Sequence, residues 1–396
     1  RILGPGGNVG AYFVSLVQCR RHRLGLHQSS QRVLSMARTI KRGLLGASAA
    51  LIAYLLLWPV PVDPVAWQSK ASQGYVGSFA ANDRLSDLEQ NDILGRHGPE
   101  DAAIFPDGTL YFTTSDGEVL QRTPDGAMSV FASGLGRALG IEVAPDGTIW
   151  VADAYRGLTR VTPDGAELMA TQTVDGTAIL YANSLDFAPD GAIWFSDAST
   201  KFGALASGGT LEGSYLEILE HGRTGRIIRF DPATGDATTM LTDLSFANGI
   251  AMGPSGDWLF FVETGAYAVR RLWINGPRAG EVEDVLTNLP GFPDNIKRDT
   301  NGGFLLGLVS KRAPAADMAA PYPILRKILQ RLPAALRPKA VSYGFILHMN
   351  DAGEVTETWQ DPAAGYPLTT GAVRDLDGSL WITSLSAEWL ARLPNP

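Results

Sequence analysis

Residues 184–197 read SLDFAPDGAIWFSD: an apolar run, the turn Pro189-Asp190-Gly191, and a second apolar run ending on Asp197. Asp-Gly between runs rich in Phe, Ile and Trp marks a β-hairpin, because glycine accepts the positive φ that tight turns require. Five more stretches share this form: DAAIFPDGTLYFTT from Asp101, GIEVAPDGTIWVAD from Gly140, GIAMGPSGDWLFFVE from Gly249, NIKRDTNGGFLLGL from Asn295 and GAVRDLDGSLWITS from Gly371. Repeats of roughly 40 residues carrying several short strands are the signature of propeller blades. Six copies predict an all-β, six-bladed β-propeller. The longer intervals after the third and fifth copies hold insertions at about 199–223 and 312–341, the second placed in the fifth-blade region.

Counting back seven residues from Asp107, Asp146, Asp190, Ser255, Asn301 and Asp377 lands on Glu100, Leu139, Asn183, Asn248, Asp294 and Thr370. All six positions open the first strand of a hairpin, and in a propeller those strands surround a central channel, so the six form a ring. Four carry a side-chain carbonyl or carboxylate oxygen, and Asn295 offers a fifth. Two carboxylates with amides, and neither Cys nor His, suit a hard cation of high coordination number, calcium before magnesium or zinc. The plainer reading is that Asn and Asp cap turns at strand ends, but turn capping does not explain a shared offset in separate blades.

The stretches GPEDAA (98–103), VADAYRGL (151–158), ANSLDFAPDG (182–191), FANGIAMGPSGD (246–257) and GFPDNIKRDTNGGF (291–304) resemble the strictosidine-synthase-like branch of the six-bladed propellers. More distantly the chain is similar to paraoxonases, gluconolactonases and diisopropylfluorophosphatase. The resemblance runs from about residue 75 to the C-terminus. It implies a calcium ion held by Glu100, Asn183, Asn248, Asp294 and Asn295, in an enzyme that hydrolyses esters or lactones. Leu139 stands where paraoxonases place a histidine, and Thr370 where related hydrolases often have one, which argues against a histidine-driven mechanism. Where strictosidine synthase places a glutamate this chain reads LGLVSKR (306–312), which argues against Pictet-Spengler condensation.

Two function classes follow. The first is a calcium-dependent arylesterase or lactonase, with Asp294 as base or nucleophile acting on a small-molecule ester or lactone. The second is a membrane-tethered, non-catalytic binding propeller with a structural calcium. No G-x-S-x-G elbow surrounds a serine, and His22, His27, His97, His221 and His348 receive no role.

Upstream, residues 43–62 read GLLGASAALIAYLLLWPVPV, twenty residues without a charge, long enough to span a bilayer. Arg38, Lys41 and Arg42 precede it, which predicts a cytoplasmic N-terminus and a propeller on the far side; a cleaved signal peptide is the alternative. Residues 1–42 form a basic segment, of which 1–35 read as a disordered upstream extension before Met36; residues 63–80 read as a linker, and 81–396 as the propeller. Cys19 is the sole cysteine, so a disulfide framework is excluded. The net charge is -8, and with a basic cluster before the anchor the propeller is more acidic still, which disfavours nucleic acid as a partner. In the second insertion, Ile324, Leu325, Ile328, Leu329, Leu332 and Leu336 recur at helical spacing against Arg326, Lys327, Arg331 and Arg337, predicting a basic amphipathic helix that lies on a membrane or covers the channel.

Overall fold

The computed structural model describes residues 9–396, with side chains described from residue 32 onward except residue 33. Residues 1–8 and the side chains of Cys19, His22 and His27 lie outside the described residues. The chain divides into two compact units, the second beginning at Pro61. The first is a single helix, α1 (Val9–Leu57), whose portion Leu34–Leu57 is apolar and long enough to cross a membrane. It stops five residues short of the expected limit at Val62, because Pro59 and Pro61 can neither donate to a helical carbonyl nor let their predecessors stay helical. Residues 9–35, read from sequence as disordered, continue this helix.

The second unit is built of four-stranded antiparallel sheets, one per repeat. In the third, Ala182–Phe187 pairs with Ile193–Asp197, followed by Gly225–Phe230 and Ala237–Leu244. Its turn forms as its sequence dictates: Asp190 Oδ1 accepts the Ala192 amide at 3.0 Å and Gly191 adopts φ 85°, a side-chain-closed turn. Asp107, Asp146 and Asp377 accept the amides of Thr109, Thr148 and Ser379 in the same way. The sixth blade takes three strands from the C-terminus, Thr369–Arg374, Leu380–Ser384 and Trp389–Leu393, and its outer strand, Glu89–Asp92, from before the first blade. Glu89 opposite Arg392 and Asp92 opposite Trp389 close the ring, which removes the open edges a linear array would leave. Apolar side chains fill the wedges between blades; Trp258 and Phe260 of the fourth pack on Phe304, Leu306 and Phe345 of the fifth.

Both insertions join the second and third strands of their blades. The first carries α2 (Thr210–Glu220); the second carries α3 (Pro314–Ala319) and α4 (Pro323–Arg331). Residues 63–70, expected as a linker, are fastened to these helices. Arg326 donates to the carbonyls of Leu219, Glu220, Val65 and Ala320, and Arg312 reaches Ser69 Oγ, the Lys70 carbonyl and Asp317. Those roles set the orientation of α4: Arg326 and Arg331 are buried, while Ile324 and Leu325 are 66% and 47% exposed. Burying a guanidinium is tolerable where carbonyl oxygens receive its fork of donors.

Candidate metal and substrate site

Five of the six inner strands enter the channel through an irregularity; the first blade's, Ala102–Ile104, pairs in regular register. The pairing register shifts between Ala138 and Ile141, Ala182 and Leu185, Ala247 and Ile250, Pro293 and Ile296, and Thr369 and Ala372. Each interval contains one ring residue and its successor. A bulge of this kind places an extra residue out of the ladder and re-aims its side chain, here toward the channel. The successor meets the next blade: a Cβ on Gly249 would lie 2.5 Å from the Asp294 carbonyl, so glycine is required there.

Glu100, Asn183, Asn248 and Asp294 line one cavity of about 320 Å³, together with Leu139. Asn295 lies beneath its floor, where its Nδ2 donates to Glu100 Oε1 at 3.1 Å. Asn248 Nδ2 donates to Asp294 Oδ1 at 2.5 Å and to Thr264 Oγ1 at 3.1 Å, and Thr370 Oγ1 donates to the Glu100 carbonyl at 2.6 Å. The amide nitrogens of Asn248 and Asn295 are thus occupied, and their oxygens are not. Glu100 Oε2, Asn183 Oδ1, Asn248 Oδ1 and Asn295 Oδ1 are buried with no hydrogen-bond partner. An orphaned buried acceptor costs roughly 1–3 kcal/mol, so three on residues of one cavity, with a fourth on a side chain bonded to Glu100, call for a shared partner.

The electrostatics agree. Burial, then Asp294 and Asp101, push the Glu100 carboxyl well above the usual range, and burial pushes Asp294 up to about 7 despite the bond from Asn248. Two adjacent buried carboxylates resist ionising together unless a cation is present. No three His, Cys, Asp or Glu side chains gather at one point among the described residues; amide oxygens complete the set instead. All-oxygen donors with two negative charges fit a hard divalent cation, and the residues present fit calcium.

Below the ring lies a second polar layer that sequence reasoning missed. Lys297 Nζ contacts Asp101 Oδ2 at 2.9 Å, Glu142 Oε1 at 2.7 Å and the Ile141 carbonyl at 2.7 Å, bridging the fifth blade to the first and second. The signal was available: Glu142, Asp186 and Lys297 each stand three residues after a ring position. Also missed were the cavity walls contributed by Trp67, Arg137, Tyr181, Phe246, Tyr267, Phe292 and Leu211 of α2, whereas Leu329 of α4 lines the cavity, as the channel-covering reading of that helix expects. No histidine lines the cavity among the described residues. His221 is buried, stacked on Trp67 at 4.1 Å and bonded to Ser245 Oγ at 3.0 Å; His97 pairs with Asp116 and His348 with Asp299.

Residues 183–277 match the strictosidine synthase family model and residues 77–122 the strictosidine synthase-like N-terminal model. Adipocyte plasma membrane-associated protein of Bos taurus is 29% identical over 87% of each chain. Strictosidine synthase-like protein 10 of Arabidopsis thaliana is 30% identical over 81% of this chain and 93% of its own. The solved structure of XC5397 from Xanthomonas campestris, a gluconolactonase, superposes with a TM-score of 0.58 at 18% identity, covering 85% of this chain and 99% of that one, and so shares its fold. With a six-bladed ring closed by its N-terminal strand and a relative of this identity matched across nearly its whole length, the chain belongs to the strictosidine synthase-like family.

Proposed function

We propose that this chain is a calcium-dependent hydrolase of carboxylic esters or lactones. One observation carries the reading: Glu100, Asn183 and Asn248, each with a partnerless buried oxygen, line a cavity with apolar walls beside Asp294, and Asn295, with a fourth such oxygen, is bonded to Glu100. Bound there, calcium would polarise a substrate carbonyl and stabilise negative charge on its oxygen. Asp294 accepts one hydrogen bond on Oδ1 and none on Oδ2 among the described residues, and it borders the cavity. Its second oxygen is free to take a proton from an attacking water, or to attack directly. Glu100 is tied through Oε1 to Asn295 and acts as a ligand. The walls, formed by Tyr181, Phe246, Phe292 and Leu329 among others, exclude water and hold an apolar substrate body. A gluconolactonase on the same fold is consistent with lactone chemistry, although these walls suit a less polar ring than a sugar.

The helix Leu34–Leu57 then serves as a membrane anchor with its N-terminus cytoplasmic and the propeller on the far side, on the strength of Arg38, Lys41 and Arg42 before the apolar run. A relative described as plasma membrane-associated supports anchoring. The exposed Ile324, Leu325, Met318 and Tyr322 form an apolar surface suited to a bilayer.

The test is hydrolysis of phenyl acetate and a panel of lactones by the full chain with calcium, with EDTA, and with calcium restored. Activity that disappears and returns is expected. Bound calcium without turnover would favour a structural ion in a binding propeller, the reading that the absence of a cavity histidine supports.

A further inference from the structure

Among the cavity-lining side chains, Arg137 stands apart. It is 7% exposed, yet its one side-chain hydrogen bond runs from Nη1 to the carbonyl of its own neighbour, Ala138, at 2.9 Å. It forms no ion pair with any carboxylate among the described residues. Every other buried arginine whose contacts are described is spoken for: Arg226 by Asp197, Arg312 by Asp317, Arg326 by four carbonyls. A buried guanidinium left without a partner is costly, since desolvation is not repaid by a matching charge. Its backbone is meanwhile held firmly, the Arg137 and Gly136 amides both donating to the Asp153 carboxylate at 2.9 Å and 2.7 Å. The side chain is thus presented to the cavity from a fixed base.

The charge balance of the site points the same way. Glu100 and Asp294 together match a divalent cation, so a loaded site leaves the cavity's cations, Arg137, Arg326 and Lys339, unanswered, and of these Arg326 is already engaged by carbonyls. We propose that Arg137 is a specificity-determining residue that receives a carboxylate carried by the ligand, so that the cavity selects amphiphilic carboxylates, molecules with an apolar body and one anionic end. This rests on the hydrolase reading only for the further step that such a molecule also bears the scissile ester or lactone. A planar carboxylate matches the guanidinium fork in two parallel hydrogen bonds, and Tyr181, Phe246 and Phe292 offer apolar contact to the remainder.

The experiment is calorimetric binding of 4-phenylbutyrate and of its neutral isostere 4-phenylbutyramide to the full chain in saturating calcium, for the wild type, Arg137→Gln and Arg137→Lys. The expected result is a preference of tenfold or more for the acid in the wild type, lost in Arg137→Gln and partly kept in Arg137→Lys, because lysine retains the charge but not the fork. Arg137→Gln should also melt at or above the wild-type temperature when no ligand is present, since an uncompensated buried charge has been removed. Equal binding of acid and amide by the wild type would overturn the proposal. So would a preference that survives in Arg137→Gln, which would place the carboxylate on the metal, or a marked loss of melting temperature in that variant, which would make Arg137 structural. Carboxylate selectivity without turnover of any ester would refute the hydrolase reading and leave Arg137 in its role.

Discussion

Asn248 Nδ2 donates to Asp294 Oδ1 across the boundary between the fourth and fifth blades, 2.5 Å apart and 46 residues apart in sequence. The bond holds the carboxylate and leaves the amide's own oxygen without a partner, as the proposed metal site requires. Replacing Asp294 with Asn should therefore leave the fold intact and some metal binding in place while lowering kcat by roughly 100-fold or more, the usual scale for losing a general base. Steady-state kinetics beside a circular dichroism melt would show it. Full activity would remove Asp294 from the chemistry.

Among the described residues Lys297 is the only cation paired with Asp101 and Glu142, and it is 6% exposed. Lys297→Met would leave the buried carboxylate of Asp101 and the partly buried one of Glu142 facing a methyl group. Breaking a buried pair from one side costs about 3–5 kcal/mol, a loss to be read from urea unfolding with calcium present. A change below about 1 kcal/mol would show that the layer rearranges around the deletion.

His221 gives the stability of the propeller unit an acid dependence. Burial, then Arg326 and Arg223, lower its pKa from 6.5 to about 3. Between those values the unfolded chain binds a proton that the folded chain refuses, so stability falls as pH falls below 6.5. The slope approaches 1.4 kcal/mol per pH unit, or about 2 kcal/mol lost by pH 5 from this residue alone. His221 occupies the left-handed region at φ 53°, which asparagine tolerates. His221→Asn should flatten this part of the profile in urea titrations at pH 7 and pH 5, and an unchanged slope would assign the acid sensitivity to other groups.

Ile324 and Leu325 project from α4 while Arg326 of the same helix points inward. If that apolar surface meets a bilayer, Ile324→Glu combined with Leu325→Glu should weaken liposome association severalfold without altering the melting temperature, because neither side chain is buried. Flotation of the full chain would need an anchor-weakened background, with charge placed at Leu51 and Ile52, for the contribution of α4 to be visible. Equal flotation with and without the α4 changes would exclude the contact.

The repeated Asp-Gly, Ser-Gly and Asn-Gly turns announce six hairpins because turn geometry is set by residues adjacent in the chain. Four of the five expected metal ligands, Glu100, Asn183, Asn248 and Asp294, border the cavity because an offset from a turn is conserved by strand geometry. The apolar run before the propeller was equally legible, its end misjudged only because hydropathy continues through Pro59 and Pro61 where the helix does not. Tertiary structure alone decided the rest. Asn295 sits under the floor, bonded to Glu100 at a separation of 195 residues; residues 63–70 are clamped rather than free; and the arginines of α4 face inward, since carbonyls from distant segments await them. Closure of the ring brings Arg137 to the same cavity as Glu100, Asn183, Asn248 and Asp294, and no local pattern in the sequence records that meeting, because it depends on how six blades share one axis.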